Sequence, residues 1–309
     1  MADRKLTLGI VARSQYSALK DGSVKPNNIE LECIEVAPMP RLFDRMIQDS
    51  EFDVSEMAIV TYLHIKEFGL PFTAIPVFPL RAFPQGTILQ NVNSGVNSPS
   101  DLGGKKIGVR AYAGTAGVWA RGLLQSEYGV DPGSVNWIVN DEEHIGEYHN
   151  PPNVTFEKGA NLGEMLINGD IAAGIGIMGI DNPNVKPLIP NARQAQADWH
   201  KKTGVFPMNN TVVIKDDVLA SDPGIAVAIM DAFRQAKVAY LARLKANGPN
   251  GRDEEADVRL QEVVGDPLPI GVEANRKGLE MIVDYANRQQ IIKSRFSPEE
   301  LFSANTRQG

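Results

Sequence analysis

The segment from Met39 to Pro79 constrains the fold more than any other part of the sequence, because its hydrophobic periodicity switches repeatedly. The letters MPRLFDRM predict a helix with Leu42, Phe43 and Met46 on one apolar face. FDVSEMA then predicts a short strand, YLHIKEF a second helix, and FTAIPVFPL another strand. Strands that are separated by helices are typical of a mainly parallel sheet in an α/β fold.

The same alternation recurs along the rest of the chain. LTLGIV and IELECIEV predict two strands near the start, and KKIGVR begins a second α/β unit that continues into a helix from Thr115 to about Tyr128. VVIKDDVL and a helix from Pro223 to about Lys245 follow later, whereas the Gly-, Pro- and charge-rich stretch from Asn247 to Asp257 is typical of a mobile loop. Two α/β units in 309 residues predict a two-lobed molecule.

Composition and charge exclude several classes of partner. The net charge of −7 and the absence of Lys/Arg blocks argue against nucleic acid and anionic membrane as partners. The first residues lack the pattern of a signal peptide, and the apolar run from Ile171 to Ile180 is about half the length that spans a bilayer. Together with the single cysteine, Cys33, these features favour a cytoplasmic location.

Neither a metal nor a dinucleotide cofactor is predicted. The four histidines lack metal-binding spacing. The glycines Gly174, Gly176 and Gly179 match GxGxxG, but isoleucines lie between them, so the run resembles a strand rather than a phosphate-binding turn.

Polar residues at strand ends are the best candidates for a ligand site. Asp53, Ser55 and Glu56 lie where a strand meets the next helix, and Glu56 could work as an acid or base or instead cap that helix. A second strand also runs into a helix, and its junction offers backbone N–H groups to an anion at Tyr112, Gly114, Thr115 and Ala116, although Thr115 could simply be the N-cap. Arg81 and Phe83 could hold a carboxylate and a ring, and a structural ion pair of Arg81 is an equally supported alternative.

Motifs across the sequence resemble the 4,5-dihydroxyphthalate decarboxylase family, which is related to the type 2 periplasmic solute-binding proteins. The resemblance is carried by FDVSEMAIVTYL, SPSDLGGKKIGV, TAGVWARGLLQSEYGV, KKTGVFPM, GVEANRKGLE and PEELF. It implies a two-lobed, periplasmic-binding-protein-like (type 2) α/β fold with a ligand cleft between the lobes. Residues 1–86 and 209–309 would form lobe one, residues 87–208 would form lobe two, and the chain would cross near Phe83 to Gly86 and near Phe206 to Asn210.

The resemblance also implies a carboxy-lyase of aromatic catabolism that needs no cofactor and acts on a small, aromatic, hydroxylated carboxylic acid. A homo-oligomer is compatible with it. Glu56 and Tyr112 would handle protons. The expected substrate-binding residues are Arg13, Ser14, Ser55, Arg81, Phe83, Gln85, Gly114, Thr115, Ala116, Phe206 and Asn209.

The sequence departs from the family at residues that matter for proton transfer. Gln85 and Asn209 stand where the family typically has histidine, and a neutral amide cannot donate a proton as imidazolium does. After the first strand the family usually carries an Asp-Arg pair, whereas here Arg13, Ser14, Gln15 and Tyr16 occupy the segment. A non-catalytic cytosolic binder or sensor for a small carboxylate is therefore an alternative, and so is a lyase or hydrolase acting on another acid.

Overall fold

The computed structural model describes residues 4–308, which form helices and strands in alternation. The strands are β1 Arg4–Ile10, β2 Ile29–Glu35, β3 Val54–Ala58, β4 Phe72–Ile75, β5 Ile88–Asn91, β6 Lys106–Val109, β7 Asn136–Val139, β8 Val154–Phe156, β9 Ala173–Ile175, β10 Val185–Pro187 and β11 Asn210–Lys215. The helices are α1 Ser17–Lys20, α2 Met39–Asp49, α3 Ile59–Phe68, α4 Thr115–Tyr128, α5 Leu162–Asn168, α6 Ala192–Thr203, α7 Asp216–Ser221, α8 Gly224–Asn247, α9 Arg252–Val264 and α10 Arg276–Arg288. Within this part of the chain, no helix combines the length and the apolar character needed to cross a bilayer.

The chain divides into two compact units. Unit one comprises Met1–Arg81, Met208–Arg276 and Phe296–Gly309, and unit two comprises Ala82–Pro207 and Lys277–Arg295. The two central crossings therefore fall at residues 81–82 and 207–208, and a further segment near the C-terminus belongs to unit two.

That further segment, mainly α10, packs on α4. The rings of Tyr285 and Trp119 meet edge to face with centroids 5.8 Å apart. Gly122 makes this approach feasible, because a Cβ atom there would lie 2.0 Å from the Tyr285 ring. The domain boundaries predicted from the sequence placed α10 in lobe one. No local pattern in the sequence indicates that Tyr285 of this helix packs against α4.

Unit one contains a five-stranded sheet in the order β2-β1-β3-β11-β4. β1 pairs in parallel with β2 and β3, whereas β11 runs antiparallel to both β3 and β4. The core on one side of this sheet combines Leu8 and Ile10 of β1 with Ile229 and Phe233 of α8. Because β1 and β3 are parallel neighbours, their carboxyl ends lie at the same edge of the sheet.

Unit two contains a six-stranded sheet in the order β10-β5-β9-β6-β7-β8. Strands β9, β6, β7 and β8 are parallel, and β5 is antiparallel to β9 and β10. The mixed α/β class and its resemblance to periplasmic binding proteins, both predicted from the sequence, are confirmed by this architecture and by the solved structures described below.

The prediction of a mobile loop from Asn247 to Asp257 is wrong for its second half, where α9 begins at Arg252. Acidic residues in the first turn favour the helix through its dipole. Glu254 in that turn is buried, and its carboxylate accepts hydrogen bonds from Arg243 Nη2 at 2.5 Å and from the Asn250 N–H at 2.7 Å. The Gly, Pro and charge content suggested a mobile loop, but these contacts stabilise a helix.

Candidate functional site

Glu56 lies at the centre of a hydrogen-bonded cluster in unit one. Its side chain in β3 has no solvent exposure. Oε1 accepts from Arg13 Nη1 at 2.5 Å and from Asn210 Nδ2 at 2.7 Å, and Oε2 accepts from Arg13 Nη1 at 2.7 Å and from the Tyr16 hydroxyl at 3.0 Å. A buried carboxylate requires such compensation. Because both oxygens are engaged, the geometry favours a positioning role, and the predicted proton transfer by Glu56 stays a prediction.

Arg13 is the part of this cluster that can meet a ligand. It follows β1, and its side chain is 18% exposed. Nη1 donates to both Glu56 oxygens, whereas the hydrogen bond of Nη2 is a weak one to the Met39 sulfur, at 3.9 Å. Burial acts to lower the pKa of Arg13, but the negative charge of Glu56 and its hydrogen bonds with Arg13 outweigh burial and raise the pKa. The guanidinium is therefore a pre-oriented cation that retains donors for a carboxylate.

Ser55 and Asn209 lie beside this cluster. The Ser55 hydroxyl is buried and donates to the backbone carbonyl oxygen of Glu56 at 2.9 Å. This hydrogen bond lies within β3 and favours a structural role for Ser55. The Asn209 carbonyl accepts the Ile59 N–H at the start of α3, at 2.9 Å. Its side-chain Oδ1 is buried and has no hydrogen-bond partner within residues 4–308. Glu56 itself does not cap α3, whose N-cap residue is Ala58.

Ser14 neighbours Arg13 in the loop after β1 and is exposed. Burial acts to raise the pKa of Glu254, but hydrogen bonds from the Asn250 N–H and from Ser14 and Arg243 outweigh it and lower the pKa. The loop that carries Arg13 and Ser14 therefore lies against α9.

Arg81 anchors another loop of unit one. It is only 8% exposed and donates to Asn275 Oδ1 and, at 3.3 Å, to the Pro269 carbonyl. Asn275 in turn donates to the Gly271 carbonyl at 2.7 Å. Burial lowers the pKa of Arg81 to about 9, which leaves the guanidinium charged at neutral pH. These contacts favour a structural role, and the predicted carboxylate contact of Arg81 stays a prediction.

The start of α4 in unit two already holds a carboxylate from the protein. Thr115 is the first helical residue, and the N-cap is Gly114, which offers no side chain. Glu143 accepts from the Ala113 N–H at 3.1 Å and also from the Tyr112 N–H. Burial raises the pKa of Glu143. The N–H groups of this turn therefore suit a carboxylate, and the exposed Ala116 extends the same turn. The predicted binding of a ligand anion at this turn stays a prediction.

Tyr112 and Arg121 form a buried stack beneath that turn. The Arg121 guanidinium lies 3.9 Å from the Tyr112 ring centroid and 5.1 Å from that of Trp137. Its Nε donates to Gln289 Oε1 at 2.7 Å, and its Nη2 donates to the Tyr112 carbonyl. Burial raises the pKa of Tyr112. This environment favours packing, so proton transfer by Tyr112 stays a prediction.

Phe83, Gln85 and Phe206 also lie in unit two. The rings of Phe83 and Phe206 are 5.1 Å apart, and Trp199 packs edge-on against Phe83 at 6.2 Å. Gln85 is 1% exposed, and neither of its amide atoms has a hydrogen-bond partner among the described residues. Buried polar side chains almost always have partners, so the Gln85 amide requires an explanation other than folding stability.

Comparison of the sequence with known proteins identifies two similar proteins. No protein-family model matches it. It is 28% identical to a 4,5-dihydroxyphthalate decarboxylase of Comamonas testosteroni over 264 residues, which are 79% of this chain and 78% of that protein. It is 29% identical to one of Pseudomonas putida over 213 residues, 64% of this chain and 82% of that protein. This chain is a relative of the 4,5-dihydroxyphthalate decarboxylases.

Solved structures define the fold that this chain shares with other proteins. The periplasmic aliphatic sulphonate binding protein SsuA from Escherichia coli superimposes with a TM-score of 0.57, 13% identity and coverage of 99% of each chain. The desulfurization enzyme DSZB gives a TM-score of 0.53 at 12% identity, with 97% of this chain and 96% of that chain covered. A binding protein and an enzyme thus share the fold, which by itself does not decide between them.

Sequence reasoning missed two members of the Glu56 cluster, Tyr16 and Asn210. Both were within reach of the motifs, since Tyr16 lies in the same loop as Arg13, and Asn210 follows the predicted Asn209. No signal in the sequence indicated that the two would converge on Glu56 from positions 40 and 154 residues away.

Proposed function

We propose that this protein is a cofactor-independent decarboxylase of a small aromatic hydroxylated acid of the 4,5-dihydroxyphthalate class. The observation that carries the proposal is the alignment of 264 residues with a protein named for that reaction. The Arg13–Glu56 pair supports it, because a cation with unoccupied donors at the carboxyl end of β1 suits a carboxylate ligand.

In this proposal Arg13 binds the carboxylate that the substrate retains. Glu56, held also by Tyr16 and Asn210, fixes the guanidinium plane before the substrate arrives. Such preorganisation lowers the entropic cost of orienting the substrate. The electron pair left on the ring as carbon dioxide departs must then be taken up by a proton.

The test is carbon dioxide release from 4,5-dihydroxyphthalate by the wild type, by Arg13→Ala and by the control Arg41→Ala, whose side chain is exposed on α2. Truncating one partner of a buried charge pair costs ~2–5 kcal/mol, so kcat/KM should fall by about 30-fold or more in Arg13→Ala. Arg41→Ala should match the wild type. Equal activity of all three proteins would remove Arg13 from the site.

The alternative is a non-catalytic binder of the same ligand, and the amides Gln85 and Asn209 at positions of family histidines favour it. Calorimetry separates the two functions, since a binder takes up 4,5-dihydroxyphthalate without releasing carbon dioxide. In either case the proposed partner is a small carboxylate rather than nucleic acid or membrane, and the proposed location is the cytoplasm. Cell fractionation tests the location, and light scattering tests whether the protein forms a homo-oligomer.

A further inference from the structure

Unit two contains a cavity of about 490 Å³ at the carboxyl ends of its parallel strands. Arg110 follows β6, Asn140 follows β7 and Gly176 follows β9, and all three line the cavity. Residues 159–163, which lead into α5, form another part of the wall. Small-molecule sites measure about 300–1,000 Å³ and are common at this edge of an α/β sheet. The cavity therefore has the size and the position of a ligand site.

Glycine keeps part of this cavity free of side chains. Gly176 has a φ of 71°, and a Cβ atom there would meet nothing within 4 Å beyond its chain neighbours. Its N–H donates to the Thr87 carbonyl at 2.9 Å, which holds the turn in place. Gly159, in the wall before α5, has a similar φ of 73° and equally open surroundings. A side chain added at Gly176 would therefore enter open space rather than packed protein.

A guanidinium and an amide supply polar groups to the cavity. Arg110 Nη1 donates to Asp141 Oδ2, and the Arg110 side chain is 41% exposed. Because a guanidinium has five N–H donors, Arg110 can bind a ligand carboxylate as well. Asn140 Nδ2 donates to the Ala160 carbonyl at 2.8 Å, whereas Asn140 Oδ1 is buried and has no hydrogen-bond partner among the described residues. Buried polar atoms almost always have partners, so a ligand that donates to Oδ1 would account for this amide.

The rest of the wall limits the charge of the ligand. Leu162 and Ile175 are buried, and Ile177 packs on the same core cluster as Leu162. Of the described residues that line the cavity, Arg110 alone is ionisable, and Asp141 offsets part of its charge. A dianion such as phosphate would be incompletely neutralised here. A monocarboxylate can instead pair with Arg110 and place its carbon skeleton on the apolar wall.

We propose that this cavity binds a small monocarboxylate that has an apolar body and a hydroxyl group. Arg110 binds the carboxylate, Leu162 and Ile177 contact the apolar body, and the hydroxyl donates to Asn140 Oδ1. The described residues that line the cavity include none of those predicted from the sequence to bind a ligand. The inference goes beyond the proposed function, because it concerns binding and requires no turnover.

The first test is calorimetric titration with 3,4-dihydroxybenzoate, the acid that remains when 4,5-dihydroxyphthalate loses one carboxyl group. Arg110→Gln removes the charge that binds the carboxylate. Hydrogen bonds to charged groups are strong enough that the dissociation constant should rise about 10-fold or more. The control is Lys202→Gln, which removes an exposed cation of unit two that pairs with Glu127. This control should keep the wild-type dissociation constant.

The second test fills the cavity. Gly176→Asn adds a side chain at a positive φ, which asparagine tolerates better than most residues, and it should abolish measurable binding of 3,4-dihydroxybenzoate. The matched control is Gly129→Asn at the C-terminal end of α4, where φ is 69° and a Cβ atom also meets nothing within 4 Å. It should bind as the wild type does. Equal urea midpoints of the two variants would show that Gly176→Asn loses binding without losing its fold.

The third test concerns the hydroxyl group. Asn140→Leu should remove the preference of the protein for 3,4-dihydroxybenzoate over benzoate, which has no hydroxyl group. The ratio of the two dissociation constants is the readout, because a general loosening of the cavity would weaken the binding of both ligands alike.

The proposal has clear ways to fail. Equal dissociation constants for the wild type, Arg110→Gln and Gly176→Asn would overturn the site, and so would a wild type that does not bind 3,4-dihydroxybenzoate. Tighter binding of inorganic phosphate would overturn the assignment to a monocarboxylate. A hydroxyl preference that survives in Asn140→Leu would overturn the contact with Asn140. None of these results depends on carbon dioxide release, so each is separate from the fate of the decarboxylase proposal.

Discussion

Replacing Gln85 by methionine should stabilise unit two while weakening ligand binding. Gln85 is 1% exposed, and its amide nitrogen and oxygen have no hydrogen-bond partner among the described residues. A polar group buried in this way pays for desolvation without a compensating bond. An apolar side chain of similar length, such as methionine, removes that cost and should raise the stability of the protein. A gain in stability is expected where the natural residue is retained for function rather than for stability.

The magnitude follows from two opposing effects. An unsatisfied buried donor or acceptor costs ~1–3 kcal/mol, and a size-matched core substitution costs up to ~1.5 kcal/mol in packing. The free energy of unfolding should therefore rise by about 1 kcal/mol. With a urea m-value of about 2 kcal/mol/M, this rise moves the midpoint upward by about 0.5 M.

Urea denaturation followed by tryptophan fluorescence is the appropriate assay, because Trp119, Trp137 and Trp199 all lie in unit two. The control is Asn91→Leu in the same unit. Asn91 is 2% exposed, but its amide donates to the Leu166 and Ile167 carbonyls and accepts from the Asn93 N–H.

The two substitutions should act in opposite directions. Asn91→Leu should lower the free energy of unfolding by ~2–3 kcal/mol, because it removes satisfied buried hydrogen bonds and leaves carbonyls without partners. Gln85→Met should raise it and should weaken the calorimetric binding of 4,5-dihydroxyphthalate. A loss of more than about 1 kcal/mol in Gln85→Met would refute the reasoning, since it would show that the amide has a stabilising partner.

Two further predictions concern buried carboxylates. Glu56→Gln should lower the free energy of unfolding by ~3 kcal/mol, the low end for breaking a buried ion pair, because Arg13 is 18% exposed. Far-UV circular dichroism in urea measures this change. Glu51→Gln, in an exposed pair, is its control, and equal effects of the two would contradict the prediction. Burial raises the pKa of Glu143, so the wild type loses stability as the pH rises through that pKa and the buried carboxyl ionises. Glu143→Gln has no such charge, so its stability advantage over the wild type should grow from about pH 4 to pH 7. A constant difference in urea midpoint across that range would count against the burial of this charge.

Most of the architecture followed from local patterns. The helix predicted from Thr115 to about Tyr128 has those bounds in the structure, and the helix predicted from Pro223 to about Lys245 spans Gly224–Asn247. Hydrophobic periodicity reports which face of a helix or strand is buried, and that information lies within a few residues of sequence.

The site was only partly predictable for the same reason. Arg13 and Glu56 were both expected near a ligand, and the structure brings them together at 2.5 Å. No local pattern distinguished Arg13 and Glu56 from Arg81, which anchors a loop, or from Tyr112, which packs against Arg121.

The sequence by itself determined two α/β units and the strand ends at which polar side chains gather. Only the tertiary structure decided that Tyr16 and Asn210 satisfy Glu56, and that α9 lies against the loop after β1. The physical reason is that burying a carboxylate is favourable only when donors surround it, and here those donors come from segments 40 to 154 residues apart in sequence. Periodicity within one segment identifies the face that is buried, but it carries no information about which distant side chain will meet it there.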